Sequence, residues 1–90
     1  MCRSIKMLAN FEPPASDEEI RASALQFVRK LSGAHKPSRA NEAAFNRALD
    51  DVTVAAQRLI RSLKSSAPPR SREDEARKAR ERARLRYGAL

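Results

Sequence analysis

The chain has 90 residues, 19 of them Lys or Arg against 11 Asp or Glu, for a net charge of +8. That length allows one small domain with a thin stability margin. A single cysteine (Cys2) excludes an internal disulfide, and Cys2 with the lone His35 cannot supply the four ligands of a structural zinc site. No run approaches the roughly 18 apolar residues of a membrane span.

In chain order, residues 1–15 form an N-terminal arm. Ile5, Leu8 and Phe11 recur at three-residue steps, and Pro13-Pro14 closes the segment, because proline restricts the residue before it and has no N–H to donate. The arm is expected as a helical turn or an extended strap over one open side of the helices that follow. It lacks the apolar run of a signal peptide. With one cysteine and no leader, the expected setting is the reducing cytoplasm.

Residues 16–32 are predicted as the first helix. Ser16 and Glu19 have capping-box spacing, and Asp17, Glu18 and Glu19 place negative charge at the positive end of the helix dipole. That role accounts for these acids better than a paired-carboxylate site does. Ile20, Ala24, Phe27, Val28 and Leu31 then mark one apolar face. Arg29 and Lys30 suit the last turn, and Gly33 suits a left-handed cap.

Residues 38–65 are predicted as the second helix, capped by Ser38 or Asn41. Phe45, Leu49, Val52, Ala56, Leu59 and Leu63 alternate four- and three-residue steps, and Ile60 widens the stripe. Two apolar faces joined by a short loop predict an antiparallel helical hairpin.

Residues 71–87 are predicted as a third, basic helix after Ala67-Pro68-Pro69. Glu73/Arg77 and Asp74/Lys78 have the acid-before-base spacing of i,i+4 pairs. Ala76, Ala79, Ala83 and Tyr87 form a narrow stripe that would either lie against the hairpin or stay a minor face of a solvated helix. The fold class expected is therefore all-α: a helical hairpin, an N-terminal arm and a basic C-terminal helix.

Catalytic constellations are absent from the sequence. Gly33 and Gly88 stand alone, so there is no phosphate-binding glycine loop. Asp50 and Asp51 are helix neighbours that point apart. No enzyme activity, metal or cofactor is expected. Cys2 is a candidate reactive thiol, since Arg3 and Lys6 would favour its thiolate. The simpler account is a small apolar side chain tucked against the hairpin.

The binding signal lies in the charge. Residues 70–90 hold eight basic and four acidic groups, half the net charge of the chain, with seven arginines to one lysine. Arginine gives bidentate contacts to phosphate or carboxylate. The candidate nucleic-acid-binding residues are Arg77, Lys78, Arg80, Arg82, Arg84 and Arg86, with Lys36 and Arg39 secondary. Lys36, Ser38 and Asn41 also make a candidate anion-binding loop, where the second helix begins. Its simpler account is a polar loop with a capping serine.

The helix lacks the bulky apolar face of a membrane-surface helix. A sequence-reading helix-turn-helix is disfavoured by the length of the second helix and the antiparallel hairpin. The expected function is a non-catalytic binding protein contacting nucleic acid through phosphate charge. The alternative is a helical protein-interaction or dimerisation module, with an acidic protein surface or a second copy of the chain as partner.

The segments MCRSIKMLANFEPPAS and EEIRASALQFVRKLSGAHKPSRANEAAF, with the later SAPPR, resemble a small bacterial family known only as a domain of unknown function. Its members typically begin Met-Cys-Arg-Asn-Ile, so Ser4 departs from the common form. They share the Phe-Glu-Pro-Pro turn, the Lys-Pro-Ser loop and the Pro-Pro before a basic helix. The resemblance implies a stand-alone protein and carries no activity, substrate or catalytic residue. It draws attention to Cys2 and Arg3 in the arm and to Lys36, Pro37, Ser38 and Asn41 in the loop.

Overall fold

The computed structural model describes residues 5–87, so Cys2 and Arg3 lie outside the described residues. The chain is mostly helical. Helix α1 spans Asp17–Ser32, α2 Glu42–Ser62 and α3 Arg72–Tyr87. A two-stranded parallel sheet pairs β1 (Phe11–Glu12) with β2 (Arg70–Ser71) in the register Phe11 to Arg70 and Glu12 to Ser71. This pair corrects the all-α expectation. The arm is thus an extended strap with one strand of its own, tied to the segment that enters α3.

Helix α1 starts where its caps dictate. The Ser16 hydroxyl accepts from the Glu19 N–H at 3.2 Å, and the Ser16 N–H donates to Glu19 Oε1 at 3.0 Å. Two otherwise orphaned donors are satisfied reciprocally. At the other end Gly33 takes φ 70°, and its N–H reaches the Arg29 carbonyl. Without a Cβ, glycine holds this left-handed conformation at no steric cost.

Helix α2 is shorter than the predicted 38–65. A single 3₁₀ turn, Arg39–Asn41, precedes it, and the helix proper ends at Ser62. Neither Ser38 nor Asn41 caps through its side chain.

The core lies between α1 and α2. Ala24 and Val28 pack with Phe45 and Leu49, and Leu25, Ala48 and Val52 border them. Ile20 is the most buried large side chain, toward the arm. Asp17 pairs with Arg61 and Arg21 with Asp50, so the start of α1 meets the middle and the end of α2. The buried positions of α2 are Phe45, Leu49 and Thr53, a four-residue row. Thr53 is tolerated there because its hydroxyl donates to the Leu49 carbonyl at 2.7 Å.

Four residues assigned to the apolar faces are exposed instead: Phe27, Leu31, Leu59 and Leu63, with Leu31 at 72%. Phe27 and Leu31 share the helix face of Ile20, about two and three turns further along α1. The arm covers only the Ile20 end of that face. Leu59 lies in the last turn of α2 and Leu63 just follows it, where the chain turns away toward β2.

One residue organises the return of the chain. Asn10 holds φ 62°. Its carbonyl accepts the Arg70 N–H at 2.7 Å, and its side-chain amide reaches the Pro68 carbonyl at 3.2 Å and Ser65 Oγ at 3.5 Å. Asparagine tolerates the left-handed region through such local bonds. Substituting Asn10→Ala is expected to cost about 1–2 kcal/mol, from backbone strain and a lost hydrogen bond. Asn10→Gly, which keeps the backbone freedom, should cost less. Urea denaturation of the two variants checks the order.

Candidate nucleic-acid interface

Helix α3 has no buried residue. Ser71 stands just before it, and its hydroxyl accepts the Asp74 N–H at 3.3 Å. Three of its four acids pair with its bases, but at i,i+3 rather than the expected i,i+4. Arg77 meets Asp74 at 3.8 Å, Lys78 meets Glu75 at 3.5 Å, and Arg84 meets Glu81 at 3.4 Å. Exposed pairs of this kind contribute little. Arg86 instead lies over the Tyr87 ring. Among the described residues, Arg80 and Arg82 make no ion pair.

What holds α3 to the rest of the protein is its first residue, Arg72. Its guanidinium makes two bonds to the Glu19 carboxylate, Nη1 to Oε2 at 2.8 Å and Nη2 to Oε1 at 3.0 Å. Nη2 and Nε also donate to the Pro13 carbonyl, at 3.1 and 3.3 Å. The same group lies over the Phe11 ring, 5.5 Å from its centroid. Arg72 therefore joins α3, the arm and the cap of α1 at one point.

The hydrogen bonds from Arg72, then that from the Ser16 backbone, draw the Glu19 carboxyl down to a pKa of about 2. Both side chains of the pair remain more than a third exposed, so solvent screens it. Glu19 read from sequence was a capping acid only. Its second partner lies 53 positions away, and no local pattern signals it.

Between the arm and α3 lies a cleft of about 480 Å³. Met7, Leu8, Phe11, Ala76 and Ala79 supply its apolar lining, and Lys6 and Arg82 stand at it with the Glu19–Arg72 pair. The alanine stripe thus faces the arm where it meets anything, and does not pack on the helix pair. A smaller cleft of about 290 Å³ lies under the strap, where Leu8, Phe11, Ile20 and Ile60 meet.

The secondary cluster sits elsewhere. Lys36, Ser38, Arg39 and Asn41 are exposed in the connection between α1 and α2, beyond the Gly33 end of α1. Arg72 docks α3 at the opposite end, one length of α1 away, or about 24 Å. His35 is exposed, and its carbonyl accepts the Arg29 Nε–H at 2.9 Å. Among the described residues no group of three or more His, Cys, Asp or Glu side chains could hold a metal ion. Among the same residues no helix is long and apolar enough to cross a membrane.

The chain belongs to a family described as an uncharacterized conserved protein, DUF2277, whose profile matches residues 1–78. The match takes in the arm, both core helices and the Arg72 junction; Arg80, Arg82, Arg84 and Arg86 follow it. No curated protein and no solved structure matches the chain.

Proposed function

We propose that this member of the family is a non-catalytic cytoplasmic binding protein that contacts nucleic acid through phosphate charge. The observation that carries the reading is α3 itself. It is a sixteen-residue helix that buries nothing, yet from Arg77 to Arg86 it presents five arginines and one lysine. A helix with no core to complete has no internal need for Arg80 and Arg82, which have no ion-pair partner among the described residues. Phosphate oxygens are partners of matching chemistry. The antiparallel hairpin of α1 and α2, supported by the Asp17–Arg61 and Arg21–Asp50 pairs, acts here as the base from which α3 extends.

Binding of mixed-sequence RNA and DNA across a salt series tests this. Affinity should fall steeply with salt, with a log–log slope of about −0.7 per phosphate neutralised on a single strand. Arg80→Ala and Arg82→Ala should each flatten the slope by about one contact. Lys36→Ala and Arg39→Ala should change it less. No binding at low salt, or binding without a slope, ends the proposal.

The exposed Phe27, Leu31, Leu59 and Leu63 favour a second reading, a helical interaction or dimerisation module. Light scattering on the same samples at two concentrations separates the two. A strict monomer counts against self-association.

A further inference from the structure

We infer that the cleft between the arm and α3 receives an unpaired base of a single-stranded nucleic acid, with Lys6 and Arg82 holding the flanking phosphates. This rests on the nucleic-acid reading above and adds to it a preference for single strands over duplex.

The lining sets the chemistry. Met7 and Phe11 on the arm face Ala76 and Ala79 on α3 across about 480 Å³. That volume is within the range of small-ligand pockets. The two alanines keep the α3 wall low, so a flat ring has room beside Met7, which is half exposed. An apolar wall takes the face of any base without reading its identity.

The charges around the cleft are unequal. Its two acids are engaged: Glu19 by Arg72, and Glu75 by Lys78. Its remaining cations, Lys6 and Arg82, have no ion-pair partner among the described residues. An occupant with an apolar ring and anions on either side satisfies both features. A nucleotide within a strand has that form. Duplex bases are stacked and paired, so they cannot enter without being extruded.

The experiment compares a labelled oligothymidylate of about twelve nucleotides with an abasic strand of the same length, which keeps the phosphates and lacks the bases. Fluorescence anisotropy is read at one salt concentration and then across a salt series. The base-bearing strand is expected to bind about tenfold more tightly, the scale of one base stacked in a pocket. Ala79→Leu, which raises the α3 wall into the cleft, should bring the two strands to equal affinity and keep the salt slope. Leucine is a good helix former at this exposed position, and circular dichroism verifies that α3 persists. Ala83→Leu, outside the cleft lining, should leave the tenfold difference in place.

Equal affinity of the two strands for the unmodified protein, with the salt slope retained, overturns the inference and leaves phosphate-charge binding standing. A difference that survives Ala79→Leu overturns the placement in the cleft. Failure of both strands to bind at low salt removes both readings.

Discussion

Phe45→Ala is expected to abolish most of the helical signal of the chain. Phe45 is 9% exposed and sits among Ala24, Val28 and Leu49. Truncating a buried phenylalanine costs about 3–5 kcal/mol, in lost transfer energy and in the cavity left behind. The total stability of a small domain starts at about 5 kcal/mol, so little would remain. The matched control is Phe27→Ala on α1. Phe27 removes the same atoms but is 42% exposed, and its loss should cost under about 1 kcal/mol. Urea unfolding followed by far-ultraviolet circular dichroism gives both values. If Phe27→Ala proved as damaging as Phe45→Ala, something would cover that face in solution, and self-association would be the first reading.

The second large effect concerns the junction at Arg72. Glu19→Gln should loosen the hold on α3, leaving Arg72 only its bonds to Pro13 and its place over Phe11. Glutamine keeps the capping box, since its carbonyl still accepts the Ser16 N–H. It cannot give the charged bidentate acceptor that Arg72 grips. With nothing buried along α3, the helix would lose its main anchor, and up to its sixteen residues' worth of helical signal should go with it. Short helices are marginal without tertiary support. Amide exchange in α3 should quicken while α1 and α2 stay protected.

Acid should produce the same loosening in the unmodified protein. The Glu19 pKa is lowered by folding, from an ordinary 4.5 to about 2. A depressed pKa contributes stability that is fully present above the unfolded value and fades as pH falls toward the folded one. The loosening of α3 should therefore develop between pH 4.5 and about 2. In Glu19→Gln that acid transition should vanish. An unchanged acid profile in the variant would mean that other carboxylates govern α3.

These expectations rest on features that were unequally visible in the sequence. The ends of α1 were legible because caps are local: Ser16, Glu19 and Gly33 each act within a few residues. The faces of α1 and α2 were legible as directions, but not in extent. Periodicity shows which side of a helix is apolar; it does not say how far a neighbour reaches along it. Hence Phe27, Leu31, Leu59 and Leu63 were assigned to a core that stops short of them. Thr53, being polar, does not show in an apolar pattern, although the step from Phe45 to Leu49 leads to it by another four residues. The strands were invisible, since two residues carry no period. Arg72 was one arginine among seven in its segment, and only its distant partners set it apart. The candidate cations of α3 stood out by composition, whereas the cleft beside them depends on where the arm returns.

The pairing of β1 with β2 bears on the order in which the molecule is assembled. Phe11 emerges from the ribosome early, and its partner Arg70 follows 59 positions later. Every residue of the α1–α2 core is synthesised in between. Closing so long a loop adds only a modest entropy penalty, but contacts this distant in sequence form more slowly than local ones. The two core helices are therefore expected to associate on the nascent chain while Phe11 and Met7 still lack their counterpart. Fastening the arm has to wait until β2 and α3 have been made, and it is what creates the cleft.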